Sequence, residues 1–481
     1  MYKVSIRPLQ LEDATVSWKW RNDPEIWKYT GQRPDKIITE EIERNWLKEK
    51  LQEQSSKRFA ILVDDIYVGN IQLTNLTDDK TAQYHIFIGE KSYWGKGIAT
   101  LASAQLLRYA KYELKLDYIF LHVNPDNQSA IRVYEKLGFY KYDSAIEMRL
   151  NLDDLKPPFV SVFMITYNHV QFIQQAVEGV INQRTNFDFE LVVGDDCSRD
   201  GTDVVLRQLG AEYPGKLRLQ LHETNLGAMQ NQVTVLNECK GKYVAMCEGD
   251  DYWTDTSKLQ KQIDALEADD EAVLCFHPMR ELHHDGKLYP QKKSVFHRPV
   301  SNRSSLLLIN FIATLTVVFR NQAYNRSFFE GFNASMGDYI IYLALLHNPK
   351  SKIIYLPEYM GVYRYGRPQS QSNAISMEKF HFDFIRILQL ASTLPYQWNT
   401  FEKACIASSI AREWLNLFKL SMKRKAILNA LKIWFKALIQ FSKSNYYFAH
   451  KEEGFLSGKS FLYHTKMGFS NFWAAKKIET N

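Results

Sequence analysis

The order of strand and helix signals along the 481-residue chain predicts an α/β protein with two sheet domains and a helical C-terminal region. Three observations carry this. Short apolar runs alternate with helical periodicity on both sides of residue 155. Two acids and a double proline, Asp153-Asp154-Leu155-Lys156-Pro157-Pro158, stop regular structure between them. After Gly366-Arg367-Pro368-Gln369-Ser370-Gln371-Ser372-Asn373 the pattern turns aromatic, basic and helical. The expected domains are therefore 1–154, 155–373 and 374–481, in keeping with about 100–200 residues per domain.

Before the first seam the order reads as a helix, a β-hairpin and then β-α-β-α-β. Phe59–Val63 and Tyr67–Leu73 flank the turn Asp64-Asp65-Ile66. Gln83–Ile88 is the next strand, Ile98–Glu113 has helical spacing, Tyr118–Val123 is a strand, and Ser129–Leu137 is a helix ending at Gly138.

After the seam, strands Val160–Thr166, Phe189–Gly194, Leu217–His222 and Tyr243–Cys247 alternate with helical stretches Val170–Asn182, Asp203–Glu212 and Ala228–Cys239. This alternation predicts a parallel, doubly wound sheet, in which ligands bind beyond the carboxyl ends of strands. Those ends carry Thr166-Tyr167-Asn168, Asp195-Asp196 and Glu248-Gly249-Asp250-Asp251.

Charge is unevenly spread. Residues 1–155 hold 22 basic and 23 acidic side chains, residues 156–373 hold 22 and 24, and residues 374–481 hold 16 and 7. The overall excess of +6 thus lies in the last segment, and a nucleic-acid-binding core is excluded. Five cysteines with no CxxC spacing exclude a disulfide framework and a structural zinc site. Met1-Tyr2-Lys3-Val4-Ser5-Ile6-Arg7-Pro8 has no apolar run, and no stretch of about 18 apolar residues appears. A reducing cytoplasmic setting is expected.

Trp94-Gly95-Lys96-Gly97-Ile98-Ala99-Thr100 lies between a strand and a helix. Its glycines allow positive φ and close backbone approach, and free N–H groups at a helix start suit a phosphate anion. The G-x-G-x-x-G dinucleotide fingerprint is absent. Downstream follows Asn124-Pro125-Asp126-Asn127-Gln128-Ser129-Ala130-Ile131-Arg132-Val133-Tyr134-Glu135-Lys136-Leu137-Gly138-Phe139, and Trp20-Arg21-Asn22-Asp23-Pro24 lies near the start. Together these resemble the GNAT acetyltransferase family, over Met1 to about Asp153. The nearest branch acetylates protein N-termini and the amino groups of nucleotide-linked sugars.

This resemblance implies a mixed-sheet domain that uses acetyl-CoA. Backbone N–H groups of Trp94, Gly95, Lys96, Gly97, Ile98 and Ala99 would hold the pyrophosphate, Asn127 would contact the pantetheine, and Tyr134 would protonate the leaving thiolate. Trp94 stands where the family often has Gln or Arg, which keeps the backbone role and drops a side-chain contact. The amine must lose a proton before it attacks, and His85 and Glu90, at or just after the strand leading to the turn, are the candidate bases.

The polar strand ends of the second segment, with Ser198-Arg199-Asp200-Gly201-Thr202, Tyr252-Trp253 and Met336-Gly337-Asp338-Tyr339, resemble an inverting family 2 glycosyltransferase of GT-A (Rossmann-like) fold, over about Pro158 to Tyr365. A nucleotide-sugar diphosphate must leave with its charge neutralised, and a hard divalent cation, Mg²⁺ or Mn²⁺, on carboxylates does that. By resemblance Asp250 would bind the metal, and Glu248 would face the ribose or the metal. Asp195 or Asp196 would bind the base or ribose, with Thr166 and Asn168 lining the pocket. Asp338 would be the catalytic base. Many relatives carry a His two residues after the arginine of the Tyr-Arg pair near the domain's end; Tyr363-Arg364-Tyr365-Gly366 has Gly there. Arg364 would contact the diphosphate instead.

In the basic tail, Ser421-Met422-Lys423-Arg424-Lys425 precedes an aromatic helical stretch through Ile439. It suits a helix lying on an anionic membrane surface, or a packed helical subdomain or dimer face with a solvated basic side, with RNA binding a third option that lacks a recognised fold. The expectation for the whole is a bifunctional cytoplasmic enzyme of surface-glycan assembly, peripheral at the inner membrane if the tail binds lipid. It would N-acetylate an amino sugar and transfer a sugar from a nucleotide donor to a glycan or lipid-linked acceptor. The alternatives are a first domain that acetylates a protein amine, or a degenerate one serving as scaffold or acyl-CoA sensor.

Overall fold

A computed structural model describes residues 1–29, 36–142, 146–291, 299–321, 336–366, 376–393, 396–423 and 427–449. Residues 367–373 of the second seam, and Arg424 and Lys425 of the basic run, lie outside them.

The first domain contains β1 (Val4–Pro8), α1 (Ala14–Arg21), α2 (Glu40–Lys50), β2 (Lys57–Val63), β3 (Ile66–Thr74), β4 (Thr81–Ile88), α3 (Ile98–Arg108), β5 (Tyr118–His122), α4 (Gln128–Leu137), β6 (Tyr140–Lys141) and β7 (Glu147–Asn151). One sheet orders them β1-β2-β3-β4-β5-β7-β6. The β2–β3 turn holds Asp64 and Asp65 at φ 51° and 65°. Positive φ at both central residues gives a turn whose twist matches that of paired strands. α3 lays Ile98, Ala102, Leu106 and Leu107 on the sheet. Beyond Arg108 it continues as a π-turn, Tyr109–Glu113, within the stretch read from sequence as one helix.

The second domain begins with β8 (Val160–Thr166), α5 (Ile173–Ile181), β9 (Phe189–Asp195), α6 (Thr202–Glu212), β10 (Leu217–Leu221), α7 (Ala228–Glu238) and β11 (Tyr243–Met246). β12 (Tyr252–Trp253), α8 (Lys258–Glu267), β13 (Ala272–Phe276), β14 (Arg280–Leu282), β15 (Leu288–Pro290), β16 (Val300–Asn302), α9 (Arg303–Leu308), β17 (Val318–Arg320), α10 (Gly337–Leu345), β18 (Lys352–Tyr355) and β19 (Gly361–Arg364) follow. The main sheet runs β10-β9-β8-β11-β17-β13-β18-β16, and β12-β19-β14-β15 form a small second one.

The parallel reading holds for β10, β9, β8 and β11 and fails at β17, which pairs antiparallel with both β11 and β13. The sheet is therefore mixed. The chain returns through β17 without a crossover helix, which an antiparallel strand does not need.

Helices Met377–Thr393, Thr400–Lys423 and Ile427–Ala449 follow. Phe384, Leu388, Ile406, Ile410 and Ile433 join one apolar core with α10 and β11. Buried Arg303 of α9 pairs with Glu402, so these helices complete the second domain's core. Between the domains, Gly215 sits at φ +65° with its Cα against α3, where an added Cβ would lie 1.8 Å from the Gln105 carbonyl oxygen. Only glycine fits this contact.

Candidate functional site

Two clusters of candidate residues form, one per domain. In the first, β4 and β5 pair in parallel only at Thr81–Tyr118, Ala82–Ile119 and Gln83–Phe120. β4 runs on to Ile88, so the strands part and open a gap beyond Gln83 and Phe120. At the end of β4 the chain turns through Gly95 and Gly97 at φ +71° and +78° into α3. Gly97 caps α3 without a side-chain bond. The N–H groups of Ile98, Ala99 and Thr100 therefore have no intrahelical acceptor, and the helix end is electropositive. Trp94 donates its backbone N–H to the Lys91 carbonyl at 3.0 Å and its indole N–H to the Ile88 carbonyl at 2.9 Å, so the backbone role expected of it is taken up within the turn, and Lys96 stands exposed over the rings of Tyr2 and Tyr93.

Tyr134 and the candidate bases flank the gap on opposite faces of the sheet. Tyr134 is buried against Tyr84 and Phe139, and burial pushes its phenol up to about 12. His85 shares a face with Phe87, which packs on Trp20 and Trp27. Burial first, then the charges of Arg58 and His122, hold the His85 imidazole below the ordinary histidine value, and it bonds Thr74 Oγ1 at 2.9 Å. Glu90 accepts the Trp20 indole N–H at 3.0 Å. Asn127 caps α4: its side-chain oxygen accepts from the Ala130 N–H at 3.2 Å and from the Ser129 hydroxyl at 2.9 Å.

In the second domain, carboxylate oxygens of Glu248, Asp250 and Asp251 lie within 4.8 Å of one another just beyond β11. Asp251 is fully buried. Its Oδ1 accepts the Arg364 N–H at 3.0 Å, while its Oδ2 has no partner. Burial, and next the Glu248 charge, push its pKa well up. The Arg364 guanidinium is turned onto the loop itself: it donates to the Asp250 carbonyl and to Gln175, and stacks over Phe172 and Tyr252. Three clustered carboxylates, one with an orphaned buried oxygen, fit a hard divalent cation.

Asp338, in the first turn of α10, lines one cavity of about 50 Å³ with Glu248, Thr314 and Gln232. Burial raises its pKa, opposed by hydrogen bonds that include Asn310 Nδ2 at 3.4 Å. Asp195 and Asp196 are both buried and hold their own loops, Asp195 through Ser198 and Asp196 through backbone N–H groups. Asp195 accepts from the Ser198 N–H and hydroxyl, and burial raises its pKa. Asp196 accepts from the N–H groups of Leu226 at 2.6 Å and Gly227 at 3.0 Å. Asn168, at φ 55°, accepts the Arg199 N–H at 2.9 Å and so ties the loop after β8 to the loop after β9.

Residues 3–140 match the family profile described as acetyltransferase (GNAT) domain, and residues 161–332 match glycosyl transferase family 2. Spermidine N(1)-acetyltransferase of Escherichia coli K12 is 30% identical over 140 residues, covering 29% of this chain and 73% of the relative. The chain joins a GNAT acetyltransferase domain to a family 2 glycosyltransferase domain. An uncharacterized protein of Mycobacterium tuberculosis H37Rv is 37% identical over 205 residues, 43% of this chain, and the match spans 58% of that relative's length. Among solved structures, Staphylococcus aureus TarS 1–349 in complex with UDP-GlcNAc aligns at TM-score 0.46 and 19% identity, covering 59% of this chain and 81% of its own. A Vibrio cholerae spermidine N-acetyltransferase in complex with CoA and spermine aligns at TM-score 0.29 and 20% identity, covering 31% and 96%.

Within the glycosyltransferase domain two further polar side chains touch the candidate carboxylates, His169 at Asp250 and Asn310 at Asp338. His169 places Nε2 3.9 Å from Asp250 Oδ2 and Nδ1 3.1 Å from Thr166 Oγ1. Its place directly after Thr166-Tyr167-Asn168, beyond a strand end, was the available signal. Asn310 lies in an irregular stretch 28 residues before Asp338, and nothing local marked it.

Proposed function

We propose that the GNAT domain transfers the acetyl group of acetyl-CoA to an amine. The free N–H groups at the start of α3 bind the pyrophosphate and the β4–β5 gap takes the pantetheine arm. His85 or Glu90 removes the amine's proton. Tyr134, which burial keeps protonated, gives its phenolic proton to the departing thiolate. The amine assigned is that of an amino sugar. A second reading, a polyamine, is supported by the 30% identity to the spermidine acetyltransferase.

For the second domain the proposal is inverting sugar transfer from a nucleotide-sugar to a hydroxyl of a glycan or lipid-linked acceptor, in surface-polysaccharide assembly. The observation that carries it is Glu248 and Asp338 on one cavity wall, with Asp250 and Asp251 beside Glu248. Asp250 and Glu248 would hold a divalent cation, which when bound neutralises the leaving diphosphate. Asp338 accepts the acceptor hydroxyl's proton. Among the described residues no helix is long and apolar enough to cross a membrane. Exposed Phe435, Leu438 and Ile439 support a peripheral contact with a membrane that carries the acceptor.

The test is a two-panel assay on the full chain. CoA release is read with nucleotide-linked amino sugars, spermidine and peptide amines, and sugar transfer with UDP-, GDP- and dTDP-sugars plus Mn²⁺ or Mg²⁺. Acetylation of the amino sugar alone supports the first amine, and acetylation of spermidine alone supports the second. No acetyl transfer to any amine leaves the first domain a scaffold or sensor and overturns the catalytic reading.

A further inference from the structure

Where the two domains meet, a cleft of about 800 Å³ runs along the outer face of α3, across the linker and onto the glycosyltransferase domain. Five lysines line it: Lys96 before α3, Lys136 at the end of α4, Lys156 in the linker, and Lys240 and Lys242 between α7 and β11. Lys242 pairs with Glu267 at 2.7 Å, and Arg108, also in the wall, pairs with Asp188. Among the described residues no carboxylate pairs with Lys96, Lys136, Lys156 or Lys240. The Lys156 ammonium instead donates to the Lys136 carbonyl at 2.9 Å, which brings the linker cation onto α4.

Residues 1–155 and 156–373 each carry more acidic than basic side chains, yet four uncompensated cations from four separate segments face one cleft. Like charges gathered in a concave site repel one another and attract an anion. The cleft has the size of a small-molecule site. Leu101, Leu137, Pro158 and Phe187 give it an apolar wall suited to a planar base. The glycosyltransferase side is held ready: Asn321 Nδ2 donates to the Cys239 and Gly241 carbonyls at 3.0 and 2.8 Å, and the Gly241 N–H donates to Ser161 Oγ at 2.9 Å, which fixes the backbone on either side of Lys240. One end of the cleft is Lys96-Gly97, the turn into α3.

The geometry points to a phosphomonoester- and base-binding site shared by both domains, in which the adenosine 3′-phosphate end of acetyl-CoA lies across the domain boundary. The linker and the glycosyltransferase domain thus complete the acetyl donor's site. This rests on the acetyl-CoA reading of the first domain.

The experiment uses the full chain and its Lys156→Ala/Lys240→Ala double variant, both side chains being exposed and outside the apolar cores. Calorimetry measures acetyl-CoA and acetyl-3′-dephospho-CoA. The expected result is an affinity for acetyl-CoA about tenfold weaker in the variant, with the dephospho form bound about equally by both proteins, as loss of charge-assisted phosphate contacts requires. An unchanged acetyl-CoA affinity, or an equal loss for both ligands, overturns the proposal and leaves the acetyltransferase reading standing. Adenosine 3′,5′-bisphosphate binding beside saturating acetyl-CoA overturns it in favour of a separate nucleotide site. Failure of the folded wild type to bind acetyl-CoA overturns the acetyltransferase reading itself.

Discussion

Arg108, on the outer face of α3, meets Asp188 at the entrance to β9, its Nη2 donating to Asp188 Oδ1 at 3.0 Å and its Nε to the Gly215 carbonyl at 2.7 Å. The side chains are 5% and 18% exposed, so the domains are joined by a buried ion pair and not by the linker alone. Removing one partner strands the other charge. Arg108→Ala should cost about 3–5 kcal/mol in urea unfolding, and Arg108→Met with Asp188→Leu should recover most of it. An unchanged midpoint in the single variant would show that the interface does not depend on the pair.

Asp251 is the costly member of the acidic cluster. Its pKa is raised in the folded state, so the stability tied to its proton is present below the ordinary carboxylate range and is lost as pH rises toward the raised value. Asp251→Asn keeps an acceptor for the Arg364 N–H and removes the charge. In divalent-free buffer the variant should melt higher than wild type near neutral pH, and the gain should vanish in acid. Asp250→Asn should weaken Mn²⁺ binding in calorimetry and reduce sugar transfer while leaving acetyl transfer intact. Unaltered Mn²⁺ affinity would remove Asp250 from the cation site.

The strand ends that carry Thr166, Asp195 and Glu248 were legible because β8, β9 and β11 are buried runs, apolar except for Ser161 and Glu190 before their polar ends, and parallel strands read that way. β17 was not legible: Val318–Arg320 is three residues long, and its direction depends on where the chain returns. β1 and the two-residue β6 are edge strands too short to stand out: Val4-Ser5-Ile6-Arg7 alternates over only four residues before Pro8, and Tyr140-Lys141 shows no period at all. Asp338 was found by resemblance, but its neighbour Asn310 depends on how α10 packs. The tail's basic composition hid the buried Arg303–Glu402 pair that docks its helices, since pairing across 99 residues has no local pattern.

Tyr134 and His85 predict opposite limbs of the acetyl-transfer pH profile. Tyr134 holds its proton up to about 12. The basic limb therefore lies beyond the working range, and Tyr134→Phe should lower kcat about 10²-fold with acetyl-CoA affinity retained. The folded pKa of His85 is depressed. The neutral imidazole persists as pH falls below the ordinary histidine value, and the stability tied to it declines there because only the unfolded chain takes up the proton. His85→Gln should abolish an acid limb below that value. A limb that survives in His85→Gln and disappears in Glu90→Gln assigns the base to Glu90.

Asp338 can accept a proton only when ionised, and burial holds it above the ordinary aspartate range. Sugar transfer should therefore begin to fail, as pH is lowered, at a higher pH than an exposed aspartate would set. Asp338→Asn should lower kcat by about 10²–10⁴ with donor affinity retained. The Asn310 hydrogen bond at 3.4 Å favours the ionised form and works against burial. Asn310→Ala should consequently move the acid limb to higher pH while the plateau rate changes little. An acid limb that stays in place, with the plateau rate reduced, would make Asn310 a support for α10 and leave the titration of Asp338 to its burial alone.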